Sequence, residues 1–252
     1  MIGRKFFRGG YWFLSLALIV IIFASGCVQQ KSEPIVINSK TEINQSGTYI
    51  LTNDISCAEL VEESACIAIY ASNLILDCQN HVVLGPGGRV ISIGIQISPS
   101  DEYVTIKNCN VQKFHIGIRT AHNGLNSIIN NTVNNNTDIG IYLDNVVNHT
   151  LANNTASYNY KGIKLFQESN NNILIKNIVT NNRQGIYLVD SSLDNVLIDN
   201  YICDNTVDIE EDIERLNAGD IVCEDDSTLI DKGYNICLRN SGCENVNCNS
   251  GC

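Results

Sequence analysis

The chain has 252 residues, 44% of them hydrophobic and only three of them proline, a composition that excludes general disorder and leaves room for one sizeable domain. Its formal net charge is −11, and between Asp204 and Cys252 there are twelve acids against three bases. A surface of that sign repels phosphate backbones, so nucleic acid is excluded as an expected partner.

At the amino end Arg4, Lys5 and Arg8 precede a 13-residue apolar run, Tyr11 to Phe23, followed by Ala24-Ser25-Gly26-Cys27. This is the layout of an export signal over residues 1–26, with an apolar core shorter than the ~20 residues a membrane-spanning helix needs. The ending resembles a lipoprotein processing box. Cys27 is therefore the expected lipid anchor, although Ala24 replaces the branched or leucine residue usual there, and an ordinary cleaved signal is the alternative. Residues 27–33 form a linker. Removing the leader takes three bases with it and moves the net charge from −11 to −14. Eleven cysteines in an exported chain point to disulfides, and ten remain if Cys27 carries lipid.

Pro34 to Ala65 is a lead-in segment whose "GTYILTNDI" reads as strand, and Cys57 and Cys66 bracket a short acidic loop that a local disulfide would close. A repeat then takes over. Gly94-Ile95, Gly117-Ile118, Gly140-Ile141, Gly162-Ile163 and Gly185-Ile186 recur at steps of 23, 23, 22 and 23 residues, while Asn131, Asn154, Asn177 and Asn200 recur at steps of 23. Each period holds three short apolar runs with alternating inward residues, too short for helices. A triplet of such strands cannot bury its inner face alone, but coils stacked at the ~4.8 Å strand spacing can. The expected fold is all-β: a right-handed parallel β-helix of ~22–23-residue coils over residues 34–207. Six coils run from about Cys66 to Val207, extra residues being absorbed at the turn Gly85-Pro86-Gly87-Gly88. The next step of the period falls on Asp208-Ile209, and residues 208–252 are expected to form an acidic, cysteine-rich cap over the open edge.

The stretches "LILDCQNHVVLGPGG", "YVTIKNCNV", "SIINNTVNNNTDIGIYL" and "NNILIKNIVTNNRQGIYL" make the chain similar to the NosD-like right-handed β-helix repeat family, found in exported archaeal and bacterial surface proteins. The resemblance covers roughly Gly47 to Thr206 and implies the fold more than an activity.

In such a solenoid the turn after the second strand bends sharply. Asparagine tolerates the left-handed conformation, and its amide can pair with the amide one coil away. Asn131, Asn154, Asn177 and Asn200 are thus read as an inward ladder. Cys78 and Cys109 occupy the same motif position in earlier coils, where either a disulfide or two stacked thiols would fit. Cys203, Cys223, Cys237, Cys243, Cys248 and Cys252 lack any CxxC pair, which favours disulfides over a zinc knuckle. Ile209, Ile213 and Leu216 would also fit one face of a short helix.

The resemblance to the related pectate-lyase fold implies that the outward face of the first strands is where polysaccharide would bind. Its residues are Gln96, Arg119, Tyr142, Lys164 and Tyr187, with Asp144 and Phe166 two positions further along. Rings can stack on sugars, and the cations can pair with uronic groups. An ordinary sheet exterior is the plainer reading. Catalysis would need clustered carboxylates, whereas Asp144 stands alone on this face and Asp190, Asp194 and Asp199 point elsewhere. Copper, suggested by the family name, needs soft ligands. Met1 leaves with the leader, and His81, His115, His122 and His149 fall in different turns, so no metal site is expected. Calcium at Glu210, Glu211, Asp212, Glu224, Asp225 and Asp226 is the weaker alternative to a solvated cap.

Sequons occur at Asn44, Asn130, Asn135, Asn148 and Asn153. Together these features point to an exported, lipid-anchored, non-catalytic surface β-helix that binds polysaccharide or another envelope component. The alternatives are a carbohydrate-active lyase or hydrolase and a purely structural envelope protein.

Overall fold

Alternating β-branched and aliphatic residues, interrupted at regular corners, leave the chain one way to bury its inner face, which is to stack coil on coil. The computed structural model describes residues 33–205 except Arg89 and Asn123, and then residues 219–224, 227–232, 234–237, 240–241 and 243. It is the expected right-handed parallel β-helix.

Strand β1 (Ile35–Ile37) precedes a series of three-strand coils. They are β2 (Thr41–Ile43), β3 (Gly47–Leu51) and β4 (Ile55–Ser56); β5 (Ser64–Ile69), β6 (Leu74–Asp77) and β7 (Val82–Leu84); then β8 (Ser92–Ile97), β9 (Val104–Lys107) and β10 (Asn110–Gln112). The central coils are β11 (Ile116–Ala121), β12 (Ser127–Ile129) and β13 (Thr132–Asn134); β14 (Ile139–Asp144), β15 (Thr150–Ala152) and β16 (Thr155–Ser157); β17 (Lys161–Phe166), β18 (Ile173–Ile175) and β19 (Ile178–Thr180). Next come β20 (Gln184–Leu188), β21 (Asn195–Ile198) and β22 (Tyr201–Cys203), then β23 (Gly219–Cys223), β24 (Leu229–Lys232) and β25 (Ile236–Cys237), and finally β26 (Asn240–Ser241). The first strands of successive coils, from β2 to β26, form one parallel sheet, and the second and third strands form two more.

The register extrapolated to Asp208-Ile209 is corrected. Ile186 pairs with Ile221, so the slot after Gly185-Ile186 is Asp220-Ile221, further along the chain than the period places it. The solenoid therefore runs on through β23, β24 and β25 where a separate cap was expected to begin. The helix read from Ile209, Ile213 and Leu216 lies outside the described residues.

Ile67, Ile95, Ile118, Ile141, Ile163, Ile186 and Ile221 form one inner column, each fully buried. The preceding glycine is dictated by space: a Cβ on Gly162 would sit 2.5 Å from Val179 Cγ1 and 2.7 Å from the Gly185 carbonyl oxygen.

The ladder is made as expected, with its two duties split between neighbours. The left-handed residue of the corner is Asn130, Asn153, Lys176 or Asp199, and the buried amide is the residue after it. Asn131 donates from its backbone N–H and from Nδ2 to Asn154 Oδ1, both at 3.0 Å, and Nδ2 also reaches the Ile106 carbonyl. Asn154, Asn177 and Asn200 repeat the pattern. Cys78 and Cys109 head this column as a disulfide with a Cα separation of 4.7 Å, and the Cys109 N–H donates to Asn131 Oδ1. Cys57–Cys66 and Cys223–Cys243 are also bonded, and Cys203 and Cys237 each take part in a disulfide. Cys27, Cys248 and Cys252 lie outside the described residues.

Two further ladders occupy the other corners. Asn136, Asn159, Asn182 and Asn205 form one, ending on Asp220 Oδ1. Asn126, Asn172 and Asn195 belong to the other, in which His149 takes one rung. The Val147 carbonyl can only accept, so His149 Nδ1 carries the proton, and Nε2 accepts from Thr120 Oγ1 at 3.1 Å and Asn126 Nδ2 at 3.3 Å. Burial is the main cause holding this imidazole down at about 4.

Asn154→Leu strands the Asn131 donors and the Ile128 carbonyl. It should cost about 3 kcal/mol in a denaturant titration, and an unchanged midpoint would contradict the ladder. His149 binds its proton less readily folded than unfolded, so its contribution is whole above pH ~6.5 and is lost as pH falls toward 4. The loss comes to about 3 kcal/mol. Urea midpoints at pH 7 and 4 should therefore converge in His149→Asn, which restores an amide rung; an unaltered pH slope would refute the assignment.

Candidate functional site

On the outside of the first sheet, strand register lines up Gln96, Arg119, Tyr142, Lys164 and Tyr187 in one column, with Asp144 beside Phe166 in the next. The face expected from the sequence is thus assembled. Its neighbouring column is apolar in β8, β11 and β14, where Ile93, Ile116 and Ile139 form a small outer cluster with Tyr142, against which Phe166 packs. At β17 this column changes character, since Ile139 pairs with Lys161.

Tyr142 is the floor of the face. It is only 9% exposed, because the Arg119 guanidinium lies 5.6 Å from its ring centre and Lys164 Nζ 5.2 Å. Lys164 Nζ also lies 4.2 Å from the Phe166 ring centre and 5.9 Å from that of Tyr187. Lys161 sits 4.2 Å from the centre of Tyr160 and 5.8 Å from that of Tyr187, and Arg183 lies 5.0 Å over Tyr160. Cations and rings therefore alternate from Arg119 to Arg183, each contact worth ~0.5–2 kcal/mol according to its desolvation.

The carboxylates are distributed unevenly. Arg119 Nη2 donates to Asp144 Oδ2 at 2.6 Å, so Asp144 is the partner of a cation. Lys161 pairs with Asp138 at 3.2 Å, and His115 approaches the same carboxylate at 3.7 Å. Lys164, half-buried, has no carboxylate within 4.0 Å among the described residues. Burial lowers its amine below the ordinary lysine range, with Lys161 adding in the same direction against Asp138, Asp144 and Asp190. Burial, reinforced by Asp144, pushes the Tyr142 phenol well above its usual range.

Asp138 owes its place to a bulge. The N–H groups of Asp138 and Ile139 both donate to the His115 carbonyl, each at 3.1 Å, so two residues of this coil face one of the coil before. Lys161, Tyr160, Asp138 and Arg183 were not singled out from the sequence, and His115 was weighed only as a metal ligand. The available signal was the single 22-residue step between Gly140 and Gly162. Beyond Asp144 and Phe166 the turns open into a polar cleft of about 540 Å³ lined by Asn145, Gln167, Glu168, Asp190 and Ser191.

Fold and face together define a right-handed parallel β-helix protein with a basic, aromatic outer surface on its first sheet. The chain belongs to the NosD family, whose model, described as periplasmic copper-binding protein (NosD), matches residues 26–222. No curated protein sequence matches it. Among solved structures it is similar to the Dettilon tailspike protein gp208, with a TM-score of 0.57 and 16% identity over 81% of this chain and 47% of that one. The A-module of the Azotobacter vinelandii mannuronan C-5 epimerase AlgE4 gives 0.54 and 12% over 80% and 66%. The enzymatically active domain of bacteriophage CBA120 tailspike protein 2 gives 0.53 and 15% over 76% and 38%. The chain thus spans from under half to about two thirds of the length of these structures, and the likeness is one of fold.

The described residues do not fit a copper centre. The eight described cysteines are disulfide-bonded and offer no thiolate. His81 is engaged by Asp54, His115 by Thr137, and His149 is buried inside the solenoid. No group of three or more His, Cys, Asp or Glu is placed to hold a metal ion among the described residues. Of the six acids considered for calcium, Glu224 accepts from the Tyr187 hydroxyl, and the other five lie outside the described residues.

Proposed function

We propose that the protein is an exported, lipid-anchored, non-catalytic β-helix that binds acidic polysaccharide of the cell envelope across Arg119, Tyr142, Asp144, Lys164, Phe166 and Tyr187. The observation that carries this reading is Lys164, a cation held against three rings and left without a carboxylate of its own among the described residues. A carboxylate from a ligand would complete its coordination, while half-buried Phe166 and Tyr187 offer apolar surface to sugar rings. The polar cleft beside them suits hydroxyl groups. Export is supported by the leader and by the periplasmic description of the family. No cofactor enters this reading.

A second reading as a lyase rests on the same amine. Held below the ordinary lysine range, Lys164 is the group best placed to take a proton from a bound sugar acid.

Lys164→Met keeps the stem on the rings and removes the charge. In calorimetric titrations with acidic polysaccharides it should weaken binding at least tenfold with an unchanged unfolding midpoint. Equal affinity would remove the proposed face, and unsaturated ends accumulating with the unaltered protein would favour the lyase. The anchor is tested separately, because mass spectrometry of the membrane-extracted protein should find an acylated N-terminal Cys27, and a mature N-terminus elsewhere refutes it.

A further inference from the structure

If the Lys164 face is the glycan site proposed above, its geometry also discriminates among glycans. Side chains in its central column step one coil at a time, at the ~4.8 Å spacing of stacked strands, a rise comparable to the length of one sugar unit. One coil before Lys164 stands Tyr142, with Asp144 in the next column already occupied by Arg119. One coil after it stands Tyr187, whose hydroxyl donates to Glu224 Oε2, while Glu224 Oε1 is buried without a hydrogen-bond partner among the described residues. Along the strand in the other direction Lys161 is paired with Asp138. Lys164, without a carboxylate of its own among the described residues, is therefore flanked on both sides by neutral rings, and each ring has a carboxylate nearby.

On the Tyr187 side a second acid would meet the Glu224 carboxylate, and like charges brought together at an interface are strongly disfavoured; on the Tyr142 side it would meet the Arg119–Asp144 pair, whose cation is already answered. A neutral sugar in either position brings no second charge, and on the Tyr187 side it meets a half-buried ring. From this arrangement we infer that the face selects polysaccharides in which each acidic sugar is isolated between neutral ones. The chain runs across the coils along the solenoid axis, with one carboxylate on Lys164, and polymers acidic at every unit are rejected.

The test uses the mature protein and two probes of equal ring number at fixed ionic strength. These are hyaluronan oligosaccharides, with one carboxylate per two sugars, and oligogalacturonate, with one on each. The hyaluronan probe should bind about tenfold more tightly, and Lys164→Met should abolish the difference. Asp144→Asn combined with Glu224→Gln should raise the affinity for oligogalacturonate and bring the two probes within about threefold, provided the unfolding midpoint is retained. Oligogalacturonate binding as tightly as hyaluronan, in a Lys164-dependent way, would overturn the charge-spacing inference and leave glycan binding intact. Failure of both probes to bind a folded protein would overturn both.

Discussion

Everything in this molecule depends on how the chain turns its corners. At a corner the backbone leaves one sheet before it joins the next, and its N–H has no strand carbonyl to meet. In this protein the missing acceptor is a side-chain oxygen one coil on: Cys109, Asn131, Asn154 and Asn177 each donate to the amide of the following asparagine. The same amides return a hydrogen bond to the carbonyls of an earlier strand, as Asn154 does to Ile128. A buried group left unmade costs ~1–3 kcal/mol, so each rung holds the coils on either side of it to a common length. The 23-residue period is the visible result of that constraint.

That is also why the fold was legible in the sequence. Glycine is forced where a Cβ would strike the third strand, and asparagine is forced where a corner needs both a donor and an acceptor. The first amide column stood out because it ends short strands with "NN", "KN" or "DN" at a constant spacing. The column from Asn136 to Asn205 keeps the same period but sits among other asparagines, and the third is broken by His149. Both were hidden by context. The last coil was misplaced for a different reason, since periodicity carries no information across an insertion, and Asp220-Ile221 replaces Asp208-Ile209. For the site, the sequence placed Arg119, Tyr142, Lys164 and Tyr187 correctly in one column. It could not show that Tyr142 is covered, because burial on an outer face depends on where two neighbouring long side chains lie down.

The electrostatics of the face follow from its position on an acidic protein. A chain with a net charge of −11 would repel a polyanion at long range, and screening at physiological salt confines that repulsion to ~8 Å. Binding then depends on the local arrangement. The rings hold the cations in an environment less hydrated than water, where the charge of Lys164 interacts more strongly with a ligand. Desolvation also makes the charged state of Lys164 costlier, which is why its amine falls below the ordinary range. A lysine placed this way is poorly justified by stability alone, since an alkyl side chain would pack against Tyr142 and Phe166 without that cost.

The irregularity in the repeat makes the same point from the backbone. A solenoid held to a fixed period by its corners accommodates an extra residue only where a bulge can absorb it. Here the extra residue is Asp138, and it falls where the outer column changes from Ile93, Ile116 and Ile139 to Lys161. The carboxylate delivered by the bulge neutralises Lys161 and meets His115, while Lys164 has no carboxylate within reach among the described residues. Had the corner kept the regular length, the register would place no acid there, and Lys161 and Lys164 would present two open charges. The bulge thus reduces a doubly charged strand to a singly charged one, and on the proposed glycan face the preference for sparse over dense negative charge would follow from one additional residue in one coil.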